Sequence, residues 1–110
     1  MSYTFKDNTD EVLSALEKAI ENGLTAIGMT AEGHAKRKTP VDTGRLRNSI
    51  THAVKAEEKA VYIGTNVEYA PFVELGTVKM RERPFLKPAA TEHTEEYRRI
   101  MAASIKSAES

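Results

Sequence analysis

The chain has 110 residues, with 16 basic and 16 acidic side chains and no cysteine. That length holds one domain with one core, residues 1–110, near the size where partner subunits add stability. Balanced charge excludes global steering towards nucleic acid, membrane or acidic ligands, so an electrostatic role needs local clustering. The lack of cysteine excludes disulfides, thiolate zinc sites and a cysteine nucleophile.

The opening residues Met1 to Asp7 lack the basic-then-apolar order of a signal peptide, and no apolar run approaches the roughly 20 residues that cross a bilayer. The expectation is a soluble protein made and used in a cytoplasm. Tyr3 and Phe5 alternate with polar residues and predict a short strand or extended arm. From Asn8 or Thr9 onward, Val12, Leu16, Ile20, Leu24, Ile27, Ala31 and Ala35 recur at spacings of four and three, the period of an amphipathic helix. Asp10 and Glu11 open it and Lys36, Arg37 and Lys38 close it, in the order the helix dipole favours. A helix of about 30 residues is roughly 45 Å long, whereas a compact chain of this size is only about 35 Å across. It therefore either overhangs its own domain, leaving an apolar stripe for another subunit to cover, or bends at Gly23, Gly28 or Gly33.

Pro40 stops that helix, because it lacks an amide donor and pushes Thr39 out of the α region. Asp42 is placed to accept from the amides of Gly44 or Arg45, and Gly44 is free to take a positive φ, making a sharp corner. Beyond it, Ile50, His52 and Val54 alternate with Thr51, Ala53 and Lys55, and the pattern resumes at Val61 and Ile63 after the charged stretch 56–59. This predicts an antiparallel hairpin over about 49–64, with Val54 opposite Val61, His52 opposite Ile63, and Ile50, Val54, Val61 and Ile63 facing the long helix. Residues 69–77 predict a single helical turn with Pro71 near its start and Gly76 as its stop. Residues 78–83 read as an exposed basic loop with strand character. The stretch from Arg83 reads as extended up to Pro88, which suits the first turn of a last helix with an inner stripe of Ala90, Tyr97, Ile100, Met101 and Ile105. The fold class is α+β: a long N-terminal helix on a small antiparallel sheet, the hairpin plus one or two further short strands, with a C-terminal helix.

Few residues suggest chemistry. Asp42-Thr43-Gly44 matches the catalytic triplet of aspartic proteases, whose paired aspartates share a proton at a dimer axis. That site needs an almost all-β chain, and Arg45 and Arg47 would hold the aspartate ionised; turn capping is the favoured role. His34, His52 and His93 fall on three separate elements with no carboxylate at ligand spacing, so no metal site and no cofactor is expected. No nucleophile elbow or phosphate loop is present. Lys36, Arg37, Lys38, Arg45 and Arg47 surround the corner, and Lys79, Arg81, Arg83 and Lys87 surround the second loop. If the two meet, a neutral protein gains a positive patch able to touch phosphates; ordinary solvated charge is the alternative. No aromatic is interleaved for base stacking.

Three motifs stand in order: Thr39-Pro40-Val41-Asp42-Thr43-Gly44-Arg45-Leu46 with Ser49-Ile50, then Tyr69-Ala70-Pro71-Phe72-Val73-Glu74-Leu75-Gly76-Thr77, then Arg83-Pro84-Phe85-Leu86-Lys87-Pro88-Ala89. Together they resemble the tail-component family of tailed phages typified by gene product ten of phage HK ninety-seven, with order and spacing in agreement over essentially the whole chain. Phe72, Leu75 and Arg81-Glu82 depart from the family's usual residues, which touches loop rigidity only. The resemblance implies a non-catalytic virion protein of the head-tail junction or the head-proximal tail, made in the bacterial host cytoplasm. It implies a ring of six subunits that meets neighbouring connector and tail proteins, with no membrane. On that reading Leu24, Ile27 and Ala31 pack between subunits, Val78 and Met80 reach a neighbour, and Arg45, Arg47, Arg81 and Arg83 line a channel and touch passing duplex DNA. Pro40, Asp42, Gly44, Pro71, Gly76, Pro84 and Pro88 define the turns. The competing readings are a small DNA-binding accessory protein and, further off, an aspartic-protease-like hydrolase at Asp42.

Overall fold

A computed structural model describes residues 6–40, 44–67, 69–76, 81 and 83–108. The predicted strand at Tyr3 and Phe5, the corner residue Asp42, and Val78 and Met80 lie outside them. The amphipathic pattern forms one unbroken helix, α1, Lys6–Lys38, of 33 residues. The glycines do not interrupt it. A Cβ on Gly23 would stand 2.7 Å from the Met101 sulfur, and one on Gly28 would stand 2.5 Å from the His52 ring. Both are points of close approach, where the lack of a side chain lets other elements press against the helix.

After the corner, a short helix α2 (Arg45–Ser49) starts at Gly44, whose φ of 74° is the left-handed conformation expected there. Strands β1 (Thr51–Lys55) and β2 (Ala60–Gly64) follow, joined by a turn of 3-10 helix, Ala56–Glu58, and by left-handed Lys59. They pair antiparallel with Val54 opposite Val61 and His52 opposite Ile63, the predicted register. His52 and Val54 are half-buried while Thr51, Ala53 and Lys55 are exposed, so the predicted face turns towards α1. Among the described residues these two strands make up the whole sheet. The one or two further strands expected from sequence are not found there.

Helix α3 (Ala70–Leu75) ends at Gly76 with φ 77°, as its sequence predicts. The C-terminal region departs from expectation. It forms two helices, α4 (Leu86–Thr91) and α5 (Thr94–Ala108). Pro88 lies in the first turn of α4, as expected, but the helix already begins at Leu86 instead of staying extended up to the proline; a first-turn proline is tolerated because its missing amide would have no intrahelical acceptor. This moves the inward position from Ala90, which is exposed, to Ala89, which is completely buried. Tyr97, Ile100, Met101 and Ile105 are half-buried along α5 as predicted.

The core gathers Ala35 of α1 with Leu46, Ile50, Val67, Ala70, Val73, Phe85 and Ala89. All three sequence motifs thus supply one cluster at the C-terminal half of α1, closed by Phe85, the largest fully buried side chain among the described residues. Helix α5 runs back antiparallel along α1: the Ser104 hydroxyl donates to the Ala19 carbonyl at 2.6 Å, and His93 meets His34 three turns or more away. The radius of gyration is 18.8 Å, with extents of 76 × 22 × 21 Å, against about 13 Å for a compact chain of this length. The molecule is a rod with a core at one end.

Candidate functional site

The two ends of the rod differ in chemistry. At the N-terminal end of α1, residues 10–18 are all exposed, including Val12, Leu13 and Leu16 at 62, 52 and 38%. Val12 and Leu16 continue the stripe that runs through Ile20, Leu24, Ile27 and Ala31, at spacings of three and four. Further along, α5 and the hairpin cover that stripe; over these first turns nothing in the described chain does. Asp10, Glu11, Glu17 and Glu21 stand around it against Lys18 alone in residues 10–21, so this apolar tip is acidic.

Leu24 and Ala31, predicted from sequence to pack between subunits, are covered by the chain's own residues, at 6 and 5% exposure, and Ile27 is half-buried. Side chains so enclosed leave little surface for another copy. The sequence reading located the stripe but not where its own chain stops covering it. That boundary depends on the lengths of α5 and the hairpin, which periodicity in α1 does not encode.

The opposite end is basic. Arg45, Arg47, Arg81 and Arg83 are all exposed. The Arg45 guanidinium lies 5.6 Å from the centre of the Tyr69 ring, a cation–π contact. The Arg83 amide donates to the Val73 carbonyl at 2.8 Å, one turn further along the same segment. Both basic segments therefore come against α3, as a joint positive patch requires. A groove of about 410 Å³ lies beside them, lined by Val67, Ala70, Leu75 and Leu86 among others. Leu75 on its rim is 73% exposed.

Glu74 organises this end, and the sequence reading gave it no role. Its Oε1 accepts from the amides of Phe85 and Leu86 at 2.9 Å each, and its Oε2 accepts from the amide of Lys87 at 3.1 Å. A carboxylate at a helix N-terminus satisfies donors that have no partner within the helix and meets the positive end of its dipole. Glu74 thereby ties the second motif to the third. The available signal was the lack of a Ser, Thr, Asp or Asn ahead of Leu86, which leaves the start of α4 in need of a remote cap.

Two polar clasps hold other elements on α1. His52 Nδ1 donates to Glu32 Oε1 at 3.0 Å, while Lys36 donates to Glu32 Oε2 at 3.1 Å. The His52 hydrogen bond, aided by Lys36 and opposed by burial, holds the Glu32 carboxyl below the usual carboxylate range. The second clasp brings together His34, His93 and Glu96, whose ligand atoms lie within 4.8 Å of one another. Sequence spacing offers none of the three histidines a carboxylate, but the fold supplies one to each: Glu32 beside His52, and Glu96, brought beside α1 by the antiparallel return of α5, beside His34 and His93. Arg37 donates to His34 Nδ1 at 2.6 Å, so the His34 proton sits on Nε2 and points to Glu96 Oε1 at 2.5 Å. The His34 and His93 rings stack with centroids 3.5 Å apart and planes 2° apart. In-plane lone pairs of parallel rings do not converge on one ion, and ligating histidines ordinarily give their second nitrogen's proton to an acceptor rather than face a cation. The cluster has the chemistry of a hydrogen-bonded clasp, and its His34 bond lowers the Glu96 pKa.

Asp42 and Thr43 of the protease-like triplet lie outside the described residues; Gly44 acts as the N-terminal boundary of α2. The helix-dominated fold is not the nearly all-β scaffold that such a site needs. No helix among the described residues is long and apolar enough to cross a membrane.

These features define an elongated α+β protein with unlike ends. A family model described as "Bacteriophage HK97-gp10, putative tail-component" matches residues 4–76, and the chain belongs to that HK97-gp10-like family of phage tail components. The matched span covers α1, the corner, the hairpin and α3; the third motif and α5 lie beyond it. No curated protein and no solved structure matches the chain.

Proposed function

We propose that this protein is a structural, non-catalytic subunit of the head-tail junction or head-proximal tail, which closes into a ring during virion assembly. The observation that carries this reading is the acidic apolar tip of α1: Val12, Leu13 and Leu16 are exposed on the face that elsewhere forms the core. Family membership supplies the tail. A ring needs heterologous contacts, in which one surface meets a different surface of the next copy, and a rod with unlike ends offers two such surfaces. Six copies, with Arg45, Arg47, Arg81 and Arg83 turned to the lumen and its DNA, complete the proposal. Connector and tail proteins stack above and below, and Val78 and Met80 are proposed contacts to them or to the neighbouring copy.

The test is a phage genome lacking this coding sequence. The reading predicts that filled heads and tails accumulate unjoined, or that tails fail at their head-proximal end, with joining restored when the protein is supplied in trans. Normal infectious particles would overturn it. The exposed arginines favour one second reading, a DNA-binding accessory protein without a ring. Steeply salt-dependent duplex binding by a protein that stays monomeric at high concentration would select it.

A further inference from the structure

We propose that the tip of α1 from one copy seats in the groove between α3 and α4 of the next, so that copies join head to tail. The inference rests on the ring reading and names its two contact surfaces. Val12, Leu13 and Leu16 form a short uncovered apolar ridge. The groove, of about 410 Å³, offers Val67, Ala70, Leu75 and Leu86 as an apolar floor and rim. Leu75 at 73% exposure is the most exposed large apolar residue among those described. Each surface is unsuited to water and neither is covered by the described chain.

Charge fixes the pairing. The ridge is flanked by Asp10, Glu11, Glu17 and Glu21, and the groove end carries exposed Lys87, Arg81 and Arg83. The one acid among the described residues of the groove wall, Glu74, is already engaged by three backbone amides. Two ridges meeting each other would bring acid against acid, and two grooves would bring base against base; only ridge in groove is complementary. The opposite-end placement also makes the contact heterologous, which permits closure into a ring.

The chain has no cysteine, so site-specific cross-linking is clean. A protein carrying Leu13→Cys is mixed with one carrying Leu75→Cys and treated with a short bis-maleimide. The expected result is a covalent dimer from the mixture and little from either variant alone. Adding Lys87→Glu to the second partner should lower its yield about 2–5-fold, the scale of an exposed ion pair, and added salt should lower it further. A yield no greater than that from a Leu13→Cys and Ala53→Cys pair, Ala53 being exposed on β1, overturns the pairing. If wild-type protein still forms closed oligomers in that case, the ring stands and only this contact falls. If it forms none with or without its tail partners, both fall.

Discussion

Glu74 joins two stretches of chain that sequence alone leaves separate, and its removal should show it. Glu74→Ala strips three amides at the start of α4 of their acceptor and should cost about 1–2 kcal/mol, the upper range for losing a cap, read as a fall in the urea midpoint. An unchanged midpoint would contradict the capping role. Glu32 gives a pH-dependent counterpart. Its carboxyl is held below the usual range in the fold by His52 and Lys36, so the unfolded chain binds the proton more readily. The resulting stability is complete above the unfolded carboxylate value near about 4.3 and is lost as pH falls through the lower folded value. Urea titrations at stepped pH should therefore show wild type losing more stability below about pH 4.3 than Glu32→Gln, and parallel losses would refute the clasp. Both residues escaped the sequence reading for one reason: the partners that tie them to other elements, Phe85 and His52, lie 11 and 20 positions away, and a capping or clasping carboxylate looks on paper like a solvated one.

Elements with a strong internal period were legible. The spacing through α1, the alternation in the hairpin and the left-handed Gly44 and Gly76 all have local causes, and the Val54–Val61 register follows from centring the loop. The start of α4 was not legible, because a proline is permitted anywhere in a first turn and so does not mark which residue begins it, and the division from α5 at Glu92 and His93 has no Gly or Pro to announce it. Gly23 and Gly28 of α1 show a similar ambiguity: propensity reads them as places to bend, whereas packing uses them for approach. That distinction makes a prediction. Gly28→Ala forces a Cβ to 2.5 Å from His52 and 3.2 Å from Val61, so overpacking of about 1–3 kcal/mol should exceed a helix-propensity gain of about 1 kcal/mol. Gly33→Ala meets only the Arg37 guanidinium at 3.6 Å and should stabilise by up to about 1 kcal/mol. Opposite shifts in melting temperature are expected; shifts of the same sign would contradict the packing assignment.

At the scale of the whole molecule, the overhang that the length of α1 left open as one of two outcomes is present, and it places the unsatisfied surface at the acidic tip rather than at Leu24 and Ala31. The three motifs matter less as surfaces than as the core that holds the basic end rigid, with Phe85 at its centre. Apolar surface on a rod with few residues to spare is costly in water, at roughly 25 cal/mol per Å², and an assembly that covers it recovers that energy. The direct measurement is native mass spectrometry of the wild-type protein at rising concentration, alone and with the adjoining connector and tail proteins, beside a Val12→Glu, Leu16→Glu double variant. The account predicts one dominant closed oligomer for wild type, free or templated, and monomer for the double variant under the same conditions with its circular dichroism unchanged. Wild-type monomer in every mixture, or a ring indifferent to both substitutions, would contradict it.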